Sequence, residues 1–327
     1  MSTLKKMSSI ELNNINRTKK NKDSIKEFAN AIRNRFKDSM SIGSDTNGGY
    51  TVPEDIQTKI EELRESKFSL KDLVTVEPVA TLKGERIYKK RTQQKGFAMI
   101  SEGEKIGEKE TPQFEKVQYE IKKYGGYFPV TNELLEDASD KEIVSVLVNW
   151  VSDESRVTAN KIILDTINTI EKTTLNDIDD FKKVINVILS SIYEDIVIVT
   201  NDDGFQYLDT LKDSKGNYLL QPVITKPSEY TLFNRKMKII PNMDMPSNTE
   251  AEGKRAIPFI IGDLKEGIIF FDRKKITLTS SPVASVEGIN AFEEDLTLFR
   301  AIEREDCTIR DSKAFVNGQI IIDDTIQ

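Results

Sequence analysis

The sequence predicts an α+β fold, and three patterns carry that reading. From Asp140 onward, apolar residues recur at helical spacing over a stretch of about 30 residues, which at 1.5 Å rise makes a helix roughly 45 Å long. Ile196-Val197-Ile198-Val199 is short and wholly apolar, as strands buried on both faces are. Val117 to Lys122 alternates apolar and polar residues, as a half-buried strand does.

Composition bounds the function. A chain of 327 residues is long enough for one large domain or two ordinary ones. Charged residues are 31% and hydrophobic residues 38%, which suits a soluble protein with much polar surface. The net charge of −7 makes no overall case for nucleic-acid binding. Histidine is absent, which removes Ser-His-Asp and Cys-His nucleophile systems and any His-ligated metal. Cys307 is the only cysteine, so neither an intrachain disulfide nor a Cys-rich zinc site is available. No apolar run approaches the roughly 18–20 residues of a membrane span, and the N-terminus lacks a signal-peptide core. The expectation is a protein made and kept in a cytoplasm, with no membrane partner.

In chain order, residues 1–40 come first, with ten basic and four acidic side chains. Ile25, Phe28, Ala29, Ile32 and Phe36 share a helical face and predict an amphipathic helix over 23–38. A solvated tail and a basic nucleic-acid arm both fit this segment. Residues 41–78 begin as a Gly/Ser/Asn/Asp-rich extended arm. A helix follows, with Pro53 at its start and Ile56, Ile60 and Leu63 on one face, and Lys67–Val76 reads as a connector and strand.

Residues 79–123 read as a charged hairpin. Its strands run through Glu85–Arg91 and Val117–Lys122, with the polar stretch Gln93–Pro112 between them. Charged residues are 18 of the 41 from Lys83 to Lys123, so the ribbon has no core of its own. It must lie on the body of the domain or reach another subunit. Lys89-Lys90-Arg91 and the acidic stretch Glu102–Glu110 are suited to pair between subunits. Exposed pairs contribute only about 0–1 kcal/mol each, so such pairs would set register and on-rate rather than affinity.

Gly125-Gly126 reads as a break, Tyr127–Val130 as a short strand, and the residues after it as a polar turn. Ser139 or Asp140 then caps the long helix, with Glu142 in its first turn. Ile143, Val146, Leu147, Trp150, Val151, Val157, Ile162 and Leu164 form the expected buried face. Asp153, Glu154, Arg156 and Lys161 form the other.

Residues 173–284 alternate helices and strands. Asp177–Ile192 is an expected helix with Phe181, Val184, Ile185 and Ile188 inward, and Asp202–Leu211 is a second. Asp213–Asn217 is a turn and Ser247–Arg255 a polar loop. Strands are expected at Lys238–Ile240, Phe259–Ile261, Ile268–Phe271 and Lys275–Thr279, and residues 285–327 return as strands beside the long helix.

Motifs for chemistry are missing. Gly103–Lys109 lacks the spacing of a phosphate loop and no apolar strand precedes it. In Asn201-Asp202-Asp203-Gly204, a calcium loop with Gly204 in sixth place would begin at Val199, which has no ligand atom, so a helix N-cap is the better reading. Cys307 falls in a strand and reads as a buried structural thiol. No catalytic, cofactor-binding or metal-ligating residue is assigned.

The stretch FPVTNELLEDAS (Phe128–Ser139), followed by a long amphipathic helix, resembles the spine-helix region of tailed-phage major capsid proteins of the Hong Kong 97 fold. SIGSDTNGGYTVPEDI (Ser41–Ile56) is similar to the start of the mature family domain. FDRKKITLTSSPV (Phe271–Val283) and FEEDLTLFRAIEREDCTIRDSKAFV (Phe292–Val316) are similar to its closing strands. The likeness covers residues 41–322. It implies an N-arm at 41–78, an extended loop at 79–123 lying across a neighbour, a peripheral spine-helix domain from 124–172 and 285–327, and an axial domain at 173–284. Residues 1–40 become a scaffold-like or cleaved segment, short enough that a separate scaffolding protein is expected.

Some family members cross-link a loop lysine to an asparagine, with a buried glutamate as base. By alignment Asp295 stands at the asparagine position, Ile302 at the glutamate and Glu303 beside it. An aspartate lacks the amide nitrogen that leaves, so this chain is expected not to cross-link. The resemblance implies a non-enzymatic protein without cofactor. It would self-assemble into the hexamers and pentamers of an icosahedral shell around double-stranded DNA, in a virion built in bacterial cytoplasm. Expected partners are a scaffolding protein, a portal, a maturation protease and DNA bound without sequence specificity. Two alternatives stand beside it: an encapsulin-like nanocompartment shell around enzyme cargo, and a soluble α/β enzyme.

Overall fold

The computed structural model describes residues 25–36, 50–51, 56, 58–60, 63, 68–89, 114–189, 195–212, 216, 218, 220–223, 226–251, 253–286 and 288–323. Several expectations fall outside these residues: the basic residues from Lys5 to Lys22, the arm at 41–49, Pro53, the loop Gln93–Pro112 with Lys90 and Arg91, and most of the Asp213–Asn217 turn. The chain forms two compact units. The first comprises Met1–Ser69, Lys122–Thr158 and Arg273–Glu305; the second comprises Leu70–Ile121, Ala159–Asp272 and Asp306–Gln327.

In the first unit, strand Lys122–Thr131 pairs antiparallel with strand Leu296–Ile309, in a register running from Thr131↔Leu296 to Lys122↔Glu305. Strand Ile268–Ser281 lies on the other side of Leu296–Ile309 and pairs antiparallel with Tyr50–Thr51. Gly125 and Gly126 lie inside the first of these strands, where the sequence suggested a break. A Cβ on Gly125 would stand 2.7 Å from the Ala301 carbonyl oxygen, so glycine permits close approach here rather than a turn.

The polar turn expected next is a short helix, Asn132–Asp137, capped by the Thr131 hydroxyl, which accepts from the Leu134 amide at 3.3 Å. The long helix, Asp140–Ile167, opens on a capping box: the Ser139 amide and hydroxyl both donate to the Glu142 carboxylate, at 2.8 and 2.7 Å. Its buried stripe differs from the expected one. Ile143, Val144, Leu147, Val148 and Val151 are buried, whereas Val146 and Val157 are exposed. Val144 and Val148 turn inward because they join one core with Ile56, Ile60 and a second helix.

That helix spans residues 25–33. Phe28, Ala29, Ile32 and Phe36 are buried in one core with Ile143, Leu147, Val151, Leu278 and Phe299. Its end is a Schellman turn: the Phe36 amide bonds to Ala31 O at 2.7 Å and the Arg35 amide to Ile32 O at 2.9 Å, with Arg35 at φ 54°. Arg33 donates to Leu135 O at 3.4 Å and Ala138 O at 2.9 Å and pairs with the Asp140 carboxylate, tying the two helices together. The apolar stripe that suggested a free amphipathic segment is therefore part of the core.

The second unit holds an eight-stranded mixed sheet. Its main path runs Thr173–Thr174, Phe315–Asp323, Lys254–Gly262, Val197–Asn201, Arg235–Ile240, Lys226–Leu232 and Gln221–Val223. Val197–Asn201 is parallel to Arg235–Ile240 and antiparallel to Lys254–Gly262. It is central and almost wholly buried, as its composition predicts. Ser247–Arg255, expected as a loop, instead contains strand Asn248–Ala251, which returns as a hairpin onto Lys254–Gly262 through Gly253 at φ 79°. Its polar residues show no apolar alternation, which hid the pairing.

The expected strands Ile268–Phe271 and Lys275–Thr279 are one continuous strand, Ile268–Ser281, across the charged run Asp272–Lys275. In the second unit its first residues pair in parallel with Thr75–Pro78. Of residues 285–327, Phe315–Asp323 pairs with Lys254–Gly262 and not with the strands of the first unit. Helix Ile178–Lys183 widens into a π-turn at Val184–Ile188, where the Leu189 amide reaches Val184 O at 3.0 Å. The extra residue rotates Leu189 inward and leaves Ile188, expected inside, 52% exposed.

Two buried asparagines hold the far half of the long helix. Asn160 accepts from the Leu70 amide at 2.8 Å and donates to Asp244 at 3.2 Å. Asn317 donates to Ile167 O at 3.3 Å and Ile170 O at 3.0 Å, closing the carbonyl end of the helix.

Candidate functional site

The charged ribbon is built from strands Lys83–Lys89 and Phe114–Glu120, paired from Lys83↔Glu120 to Lys89↔Phe114. The second strand starts and ends earlier than its alternation suggested, because Lys122 already belongs to the next strand. The ribbon has two faces. On the inner face Val117 and Tyr119 are buried against Val79, Ile121, Ile269 and Phe271, with the Tyr119 and Phe271 rings stacked at 4.5 Å. Gly84 leaves room for this packing, since a Cβ there would stand 2.5 Å from the Tyr119 hydroxyl. The ribbon base therefore lies on the body of its own chain.

A polar chain reinforces the inner face. Glu77 accepts from Arg86 Nε at 2.6 Å and from the Tyr88 hydroxyl. The Arg310 guanidinium sits 4.9 Å from the Tyr88 ring centre and 3.4 Å from Glu266. Burial works to raise the Glu77 pKa, but the Tyr88 and Arg86 hydrogen bonds and the Arg86 charge outweigh it and hold the carboxyl below its usual value. Burial, then the bond to Glu77, pushes the Tyr88 phenol up.

A depressed carboxyl stabilises the fold above its unfolded pKa, and that contribution is lost as pH falls through the folded value. Glu77 is thus expected to support the ribbon at neutral pH and to release it only below the ordinary glutamate value of about 4.3. Thermal melts of parent and Glu77→Gln protein at neutral pH and about pH 3 check this. The variant should melt lower at neutral pH and lose less on acidification; an identical pH response in both removes Glu77 from the account.

On the outer face, Lys83 pairs with Glu120 at 2.5 Å and Lys116 with Glu85 at 2.8 Å. Beyond these pairs, Ile87 and Phe114 are 61% and 64% exposed on the same face. The loop that continues from them, including Gly103–Lys109 and Glu102–Glu110, is outside the described residues.

Asp295, the residue aligned with a cross-linking asparagine, sits at φ 52° just before strand Leu296–Ile309. Its carboxylate accepts from Asn132 Nδ2 at 2.6 Å, and the Asn132 amide oxygen accepts from Thr297 Oγ1 at 2.7 Å. Ile302 and Glu303 lie opposite Gly125 and Tyr124. Cys307, expected to be buried, is only half-buried, because this part of the strand is partly covered on both faces.

Asn201 caps helix Asp202–Thr210 by accepting from the Gly204 amide at 2.9 Å, as the sequence suggested. Asp203 is engaged by Ser247, Asn242 and Arg255. Among the described residues no group of three or more His, Cys, Asp or Glu is placed to hold a metal ion. No helix among them is long and apolar enough to cross a membrane.

Solved structures share this arrangement of a long helix beside an antiparallel sheet, a mixed sheet in a second unit and a two-faced ribbon. The capsid protein of an empty GTA particle matches with a TM-score of 0.57 and 17% identity, over 77% of this chain and 89% of that one. The protein from Microbacterium phage Oxtober96 matches at 0.51 and 14%, over 76% and 90%. The bacteriophage PhiM1 mature capsid matches at 0.51 and 9%, over 85% and 90%. No curated protein is significantly similar in sequence. A profile of the phage capsid family matches residues 48–320, and the chain belongs to that family. It is a capsid shell protein with the Hong Kong 97-like α+β fold that the sequence implied, a structural component of the virion.

Proposed function

We propose that many copies assemble as hexamers and pentamers into an icosahedral shell that encloses double-stranded DNA. The observation that carries this reading is the outer end of the ribbon. Ile87 and Phe114 stand exposed on a ribbon whose opposite face is already packed, and that is the surface a neighbouring copy would cover. In this reading residues 41–78 act as an arm and 79–123 as the loop laid across a neighbour. Residues 124–172 with 285–327 serve as the peripheral domain and 173–284 as the axial domain. Assembly takes place in the bacterial cytoplasm with a scaffolding protein, a portal and a maturation protease. DNA is held without sequence specificity, and a net charge of −7 keeps the wall from gripping it.

The subunits of this shell are held without covalent bonds. Asp295 has no amide nitrogen to lose, and lysine attack on its carboxylate would have to expel water, which is unfavourable at neutral pH. Purified particles should appear as closed shells by microscopy, contain DNA, and run as single chains on a denaturing gel. A monomer at every concentration, with scaffold present, overturns the shell. A protein cargo in place of DNA transfers the reading to a nanocompartment, and a covalent ladder on the gel overturns the role given to Asp295.

A further inference from the structure

Two surfaces of the first unit carry complementary chemistry. One is a knob at Phe292-Glu293. Phe292 is 76% exposed and Glu293 beside it is exposed, yet the backbone that carries them is pinned. The Glu294 amide bonds to Asn290 O at 3.0 Å, the Leu296 amide to Ala291 O at 2.9 Å, and the Asn290 amide to the Glu294 carboxylate at 3.1 Å. Ala291 anchors the turn from below, almost fully buried. A backbone held this way loses little freedom when the ring it carries docks.

The other surface is a groove beside the start of the long helix. It is lined by Ile25, Leu63, Val144 and Val148, by the polar Ser145 and Asn149, and by Lys59 and Lys141. Among the described residues, Lys59, Lys141 and Glu293 form no ion pair. The groove thus combines apolar side chains with two ammonium groups, and the knob offers a ring beside a carboxylate.

We infer that the Phe292-Glu293 knob of one copy docks into the Lys59/Lys141-lined groove of a second copy. Charge selects this occupant over the chain's own first 24 residues, which carry six basic and two acidic side chains and would be repelled by the two lysines. Knob and groove are different surfaces, so the contact is head-to-tail and propagates into rings or larger closed assemblies. The inference rests on the shell reading and names one of its contacts.

The test uses the full chain. Reversing charge on one side, by Glu293→Lys or by Lys59→Glu with Lys141→Glu, should raise the concentration needed for assembly by about tenfold. Combining the two sides should restore most of the loss. All of these positions lie at or near the surface, so melting temperatures should stay at the parental value. Separately, a Glu293→Cys copy mixed with a Lys141→Cys copy, both in a Cys307→Ser background, should give a disulfide-linked dimer that neither copy gives alone. If the parent forms shells, the reversals assemble at the parental concentration and no mixed dimer appears, the contact is refuted and the shell stands. A mixed dimer from a parent that never forms shells removes the shell and keeps the contact. Absence of both removes both.

Discussion

Phe28→Ala is expected to cost the unassembled chain about 3–5 kcal/mol. Phe28 is fully buried, its ring lies 6.4 Å from that of Phe36, and Phe36 meets Phe299 edge-on at 6.1 Å. Losing the ring leaves a void among groups that other elements hold in place, so collapse around it is limited. Replacing Lys19, Lys20 and Lys22 by glutamine removes charge but no apolar ring, and should change stability by less than about 0.5 kcal/mol. Urea unfolding of both proteins below the assembly threshold decides. A loss under about 1 kcal/mol for Phe28→Ala would mean that helix 25–33 docks only loosely. Changes to this stripe are thus expected to act inside the subunit, through its core.

Gly262→Ala should be at least as severe, costing more than about 3 kcal/mol or preventing soluble expression. Gly262 ends strand Lys254–Gly262 at φ 153°, and a Cβ there would stand 2.4 Å from both the Ala314 carbonyl oxygen and Phe315 Cα. Both are backbone atoms of the adjoining segment, and the Asp263 amide bonds to that same Ala314 oxygen at 3.0 Å. No rotamer change relieves such a contact. Gly288→Ala makes a useful comparison: φ is 88° but nothing lies within 4 Å. Its cost should therefore be only the left-handed penalty of about 1–2 kcal/mol. Equal soluble yields and melting temperatures for the two variants would contradict the steric argument.

Much of the fold was legible because it follows local rules. The Val197–Asn201 strand, the Asn201 cap and the start of the long helix each depend on residues within a few positions of one another. What escaped depends on distant partners. Val144 and Val148 turn inward because they share a core with residues 28–36, more than a hundred residues earlier, and with Ile56 and Ile60. Ile188 and Leu189 exchange places because one π-turn breaks the 3.6-residue period that the reading assumed. The pairing of Asn248–Ala251 is made by main-chain groups, which leave no mark on side-chain pattern. For the ribbon, charge density revealed the lack of a private core. The packing of Tyr119 on Phe271 joins residues 152 positions apart and had no local signal. The pinned turn that carries Phe292 was likewise unreadable, because exposure and turn geometry are properties of the folded chain.

Asn317 gives the chain a timetable. The carbonyls it closes, on Ile167 and Ile170, precede it by 150 and 147 residues. At ordinary translation rates those residues leave the ribosome about 7–30 s before Asn317 is made. Through that interval the end of the long helix has only its local turn, such as the Ile170 amide on Ile167 O at 3.0 Å, while strand Lys254–Gly262 waits for its partner Phe315–Asp323. Subunits whose synthesis has not passed Asp323 therefore lack their finished second sheet.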